Sequence, residues 1–118
     1  MDAFDHVNNA VYATYLEECR DQAFERVLGT GATEEFVLAR VALDFRAPAT
    51  QNDLAVDVSL RLVRVGRSSI STSEQIHAAS DGRLLLDAEA VLVRIDRATG
   101  RSRPLDDGMA DRLHALLA

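Results

Sequence analysis

The apolar residues of this chain keep two rhythms, and the switch between them restricts the fold more than any other feature of the sequence. Between residues 9 and 28 they fall at Tyr12, Leu16, Cys19, Ala23 and Val27. A spacing of three or four places them on one stripe of a helix. Asn8 or Asn9 can cap its start, because a short side-chain oxygen accepts a free N–H of the first turn. Gly29 can end it, as the residue that tolerates a left-handed backbone. From Val37 the interval becomes two. Val37, Ala39, Val41, Leu43 and Phe45 form one face of a strand; after a break at 48–53, Leu54, Val56, Val58, Leu60 and Leu62 form a second. Gly66-Arg67 is a turn into a more polar third strand, 68–78. Asp81-Gly82 is a hairpin signal, since Gly accepts the positive φ such turns need. The fourth strand, 84–95, is apolar on both faces at Leu84, Leu85 and Leu86 and again at Val91, Leu92 and Val93, the pattern of a strand that is central or covered on both sides. A polar loop, 97–103, leads through Pro104 to a short helix with Met109, Leu113, Leu116 and Leu117 on one side. The order predicts one long helix, four strands in a meander and a short helix. A twisted antiparallel sheet that wraps the long helix would bury its stripe, and the open sheet edges predict dimerisation.

With 118 residues the natural expectation is one domain, 1–118, whose core holds without disulfides. Cys19 is the only cysteine, so no intrachain disulfide and no cysteine metal cluster is available, which suits a reducing compartment. No apolar run approaches the ~20 residues that span a bilayer, and no basic-then-apolar leader is present; the expectation is a cytoplasmic protein with no membrane partner. Net charge is −6, against general nucleic-acid binding, which rests on clustered positive charge. All 13 basic residues are Arg. Arg is the better fork for phosphate oxygens, but an Ala-rich, Lys-free composition first suggests a GC-rich bacterial source.

Asp2, Asp5, His6, Asn8 and Asn9 crowd the first nine residues. A helix cap needs one short polar side chain and is worth ~1 kcal/mol. It does not require two acids, a histidine and two asparagines. On the residues alone two readings stand: a cap with its loop, or a reactive site at the start of a helix.

The opening "DAFDHVNNAVYATYLEECR" followed by this element order resembles the hotdog-fold acyl-CoA thioesterases, the 4-hydroxybenzoyl-CoA thioesterase-like superfamily. Members show an Asp, a short loop, His-Val-Asn-Asn and a Tyr at the start of the central helix, matched here by Asp2, His6, Val7, Asn8, Asn9 and Tyr12. "FVLARVALDFRAPA" (36–49), "VGRSSIS" (65–71) and "VLVRIDRATGRSRPL" (91–105) resemble the family's next strand, a turn and the last strand with its tail, so the likeness covers essentially the whole chain. The sequence departs from the pattern in three places. The first strand that members usually carry before the Asp is missing, position 5 is Asp where Gly is common, and Phe4 replaces the Asn of the plant acyl-carrier-protein enzymes.

The resemblance implies a hotdog fold of α+β class, an antiparallel sheet wrapped around a long central helix and lacking the usual first strand. It implies hydrolysis of an acyl-CoA to a free carboxylic acid and CoA, by a homodimer or homotetramer, with no metal and no cofactor. The chemistry requires stabilisation of an oxyanion, which the N–H groups and dipole of a helix N-terminus supply. It requires a general base or a nucleophile, and the family pattern gives that role to Asp2. The thiolate leaves with little acid help, because a thiol pKa is only ~8.5. His6 and Asn9 are the supporting catalytic residues, orienting the carbonyl or the water. Tyr12 and the turn Gly66, Arg67, Ser68 and Ser69 are the substrate-binding residues, Arg67 and its neighbouring N–H groups facing the CoA phosphates. Tyr12, Tyr15 and Phe24 are placed to narrow an acyl tunnel. Two other readings remain open: a non-catalytic acyl-thioester-binding hotdog domain, and a hotdog dehydratase or hydratase. Cys19 reads as core packing, Glu17 and Glu18 as a solvated helix face, Gly29-Thr30-Gly31 as a loop, and His77 and His114 as isolated, without metal-ligand spacing.

Overall fold

The computed structural model describes residues 9–47 and 55–117. Helix α1 runs Asn9–Leu28 and stops where expected: Gly29 takes φ 103° and its N–H donates to the Glu25 carbonyl at 2.9 Å. A short 3-10 turn, Ala32–Glu35, leads into β1 (Phe36–Phe45), followed by β2 (Val56–Val65), β3 (Ser69–Ala78), β4 (Leu84–Arg94) and helix α2 (Asp107–Leu117). The four strands form one antiparallel sheet.

The strand order is β1-β4-β3-β2, which corrects the expected meander. Strands β2, β3 and β4 do follow one another, through the turns at 66–68 and at Asp81-Gly82. Strand β1 instead lies on the far side of β4. The reason is in β4, where Leu85, Leu86, Ala88, Ala90 and Leu92 are all buried. A meander would leave this strand at an edge; between β1 and β3 both its flanks are covered.

The face of α1 that meets the sheet also differs from the expected stripe. Its buried residues are Tyr12, Leu16, Arg20 and Phe24, one every four positions, while Cys19, Ala23 and Val27 are half-buried. A row at every fourth residue winds slowly round a helix, and a twisted sheet follows that row better than a straight line. The result is two apolar clusters. Tyr12 and Leu16 pack with Ile76, Ala78, Leu85, Leu86 and Ala88. Phe24 packs with Phe36, Ile70, Ala90, Leu92, Met109 and Leu113. Helix α2 closes the second cluster through Met109 and Leu113; Leu116 and Leu117, expected on its buried side, are exposed.

The α2 end of the sheet is held by Arg94, the last residue of β4. Its guanidinium donates to the Pro104 carbonyl at 2.9 Å and to Glu35 Oε1 at 2.7 Å, with Asp106 Oδ2 at 3.9 Å. This buried fork ties the 3-10 turn, β4 and the tail together. The Asp106 carboxylate also caps α2 by accepting the Met109 N–H at 2.8 Å.

Candidate active site

Asp2 and His6 lie outside the described residues. Asn9 is the first residue of α1, so it stands where the helix presents free N–H groups and the positive end of its dipole. Tyr12, one turn on, is buried, its ring 5.9 Å from that of Phe45 at the end of β1. The opening of the helix is therefore anchored over the Phe45 end of the sheet.

The turn Gly66, Arg67, Ser68 and Ser69 is a tight one. The Gly66 N–H donates to the Ser69 carbonyl at 2.8 Å. A Cβ at Gly66 would meet Ser69 Oγ at 2.6 Å, so only glycine fits without a shift. The turn is pinned from below, its Arg67 and Ser68 carbonyls accepting the N–H groups of Leu105 and Arg94 at 2.9 and 2.8 Å. Ser68 and Ser69 are half-buried and Arg67 is exposed. The structure does not bring this turn to the helix N-terminus. They lie at opposite ends of β3, roughly 30 Å apart at 3.3 Å per residue.

A groove of about 440 Å³ runs between α1 and edge strand β1, within the size range of small-molecule sites. Leu16, Phe24, Phe36, Leu38, Val41 and Leu43 give it an apolar lining, and Glu17, Arg20, Asp21 and Glu34 also line it. Its helix side starts at Ala13, one turn from the opening of α1, and reaches Phe24. At 1.5 Å per residue that is roughly 16 Å. Phe24 meets Phe36 edge-on at its far end, centroids 5.6 Å apart. Of the three aromatics expected along a tunnel, Phe24 lines this groove, and Tyr12 and Tyr15 are not among its residues.

Sequence reasoning missed a buried ion pair of the interior. Arg20 Nε–H and a terminal N–H of the same guanidinium donate to the two oxygens of Glu74 at 2.9 and 2.6 Å, and Thr72 Oγ1 donates to Glu74 Oε2 at 2.7 Å. Arg20 and Glu74 are 6% and 1% exposed. The signal was present: Glu74 has the inward parity of Ile70, Ile76 and Ala78, and Arg20 is four residues after Leu16.

Cys19, read as core, is half-buried beside this pair. Burial, and then the Glu74 charge, pushes its thiol above the ordinary value of 9.0. A raised folded-state value means that the linked stability is intact below 9.0 and is lost as pH rises toward the folded value, because the unfolded chain ionises first. Melting temperatures taken from neutral to alkaline pH are expected to fall more steeply for the wild type than for Cys19→Ala; parallel slopes would contradict this. Among the described residues no group of three or more His, Cys, Asp or Glu is placed to hold a metal ion, and no helix is long and apolar enough to cross a membrane.

Comparison with known proteins places this geometry. The sequence pattern of the thioesterase-like superfamily matches residues 1–113. The chain is 29% identical over 121 residues to the long-chain acyl-CoA thioesterase FadM of Escherichia coli (strain K12), covering 99% of this chain and 91% of that protein. A thioesterase of Thermus thermophilus, solved as a complex with coenzyme A and Zn, is 34% identical and superposes with a TM-score of 0.85, over 98% of this chain and 84% of its own. The PA2801 protein of Pseudomonas aeruginosa is 30% identical, with a TM-score of 0.82, over 100% of this chain and 89% of its own. An antiparallel sheet wrapped on a long helix, matched in sequence from the opening residues into α2, makes this chain a member of the thioesterase-like superfamily with the hotdog fold.

Proposed function

We propose that this chain hydrolyses acyl-CoA thioesters to a free carboxylic acid and CoA. The observation that carries the reading is the apolar groove that runs down α1 from its first turns, in a chain whose family signature ends at that helix start. The thioester carbonyl sits at the N-terminus of α1, where free N–H groups and the dipole stabilise the developing oxyanion. Asp2 activates the water or attacks the carbonyl, His6 and Asn9 orient the reacting groups, and the acyl chain lies in the groove toward Phe24 and Phe36. Water adds its oxygen to the carbonyl carbon, the C–S bond breaks, and the thiolate leaves without an acid.

The working unit in this reading is a homodimer joined along β1. Among the described strands β1 is an edge with one neighbour, yet Val37, Leu38, Val41 and Phe45 on it are 40–47% exposed. Natural edges are usually charged or covered. Antiparallel pairing of two β1 strands about a two-fold axis sets one copy's Phe45 end beside its partner's Phe36 end. One copy's helix N-terminus and the partner's 66–69 turn then share an end of the joined sheet, as an extended CoA requires. A cytoplasmic location belongs to the same reading, supported by the single cysteine and by the substrate.

The test is free-thiol release from short, medium, long and aromatic acyl-CoAs, with sizing of the same sample. Thiol release by a dimer-sized or larger species is the expected result. A raised melting temperature without thiol release would instead establish a binding domain, and an enoyl-CoA product a dehydratase or hydratase.

A further inference from the structure

The two apolar clusters of the core are separated by a charged one. Along α1 the buried positions read Tyr12, Leu16, Arg20, Phe24; along the inward face of β3 they read Ile70, Thr72, Glu74, Ile76 and Ala78. The ion pair sits midway along both rows, Arg20 between Leu16 and Phe24 and Glu74 between Thr72 and Ile76. Every oxygen of Glu74 is used: Oε1 by one Arg20 N–H, Oε2 by the other and by the Thr72 hydroxyl.

Such a pair is a poor way to gain stability, since replacing a buried ion pair by apolar groups of similar volume is often neutral or stabilising. What it supplies is direction. Apolar contacts are non-directional, and a buried row with a four-residue repeat looks much the same after a slide of one helical turn, roughly 5.4 Å. A bidentate fork on a carboxylate fits at one position and one rotation only. We infer that Arg20 and Glu74 are positioning residues: they fix the register of α1 on β3, and with it the place of the helix N-terminus three turns away. The inference rests on the reading of that terminus as the reacting end. Displacement of a reacting group by 1 Å can lower a rate about a hundredfold, so the device matters for turnover even where it adds nothing to stability.

The experiment is the Arg20→Met/Glu74→Leu double variant, with Arg20→Lys beside it. Melting temperature, kcat and KM on an acyl-CoA that the wild type hydrolyses, and hydrogen exchange of the α1 amides are read for each. The double variant is expected to melt within a few degrees of the wild type, to lose kcat by about tenfold or more with a smaller change in KM, and to exchange the first turns of α1 at least several-fold faster. Arg20→Lys, which keeps the charge without the fork, should lie between. A double variant that keeps kcat, or that loses its fold or more than about ten degrees of melting temperature, overturns the inference, because the pair would then be idle or a plain stabiliser. If the wild type hydrolyses no acyl-CoA, the proposed function fails by itself. The exchange measurement then decides, and unchanged protection of the first α1 turns in the double variant overturns the inference alone.

Discussion

Asparagine in place of Asp2 is expected to lower kcat for acyl-CoA hydrolysis by about a hundred- to ten-thousandfold, the range that a positioned general base supplies. A nucleophilic carboxylate would lose at least as much, since the amide neither attacks the carbonyl nor leaves. The substitution keeps the size and polarity of the side chain, so substrate binding should persist. Thiol release at saturating acyl-CoA gives kcat, and the ligand-induced rise in melting temperature reports binding independently. A large fall in kcat with the rise retained assigns the chemistry to Asp2. A kcat within threefold of the wild type would remove Asp2 from the mechanism and leave the helix N-terminus as the main contributor.

Alanine at Arg20 is expected to have the largest effect on stability of any single truncation in α1. Among the described residues it leaves Glu74, 1% exposed, with the Thr72 hydroxyl as its one side-chain donor. Removing one member of a buried pair typically costs about 3–5 kcal/mol, because the remaining charge is uncompensated. A whole domain is stable by only about 5–15 kcal/mol. At roughly 4 °C per kcal/mol for a chain of this size, the melting temperature should fall by more than about ten degrees. Truncation of Leu16 is a useful comparison, since it removes a purely apolar contact from the same row. The contrast with the double variant is the point: one cut strands a charge, two cuts remove the problem. A fall of less than about three degrees for Arg20→Ala would show that Glu74 finds solvent or another donor.

The elements were legible because their rhythms were clean. The three-and-four spacing of α1 and the alternation of β2 follow directly from the periods of helix and strand, and Gly29, Gly66 and Gly82 marked turns that the backbone needs. Strand order was less legible. Chain order suggests a meander, and only the two-sided apolarity of Leu84 to Val93 hinted that β4 lies inside the sheet. The buried row of α1 departs from the expected stripe at Cys19, Ala23 and Val27 because a charged residue, Arg20, takes a place in the interior. Arg20 enters because Glu74, fifty-four residues later, is waiting for it, and no local pattern links the two. The signature Asp2, His6, Asn9 and Tyr12 was legible only as a resemblance. Of these the structure describes Asn9 as the start of α1 and Tyr12 as core. The groove was hidden because Phe24, Phe36 and Val41 come from elements that share no local pattern.

Strand order also sets a timetable. The β2–β3 and β3–β4 pairings join chain neighbours, whereas β1 must find β4, Phe36 meeting Arg94. Loop closure grows more costly with length, so the β2–β3–β4 unit is expected to assemble first, with β1 and α1 docking onto it. Gly82→Ala, in a turn at φ 75°, should then slow folding, while Leu43→Ala in β1 should mainly speed unfolding, a difference that denaturant-dependent rates would resolve. On the ribosome the order is reversed. Helix α1 and β1 emerge before β3 and β4, so Arg20 stays in water with the other charges of α1 until Glu74 is made and takes it into the core.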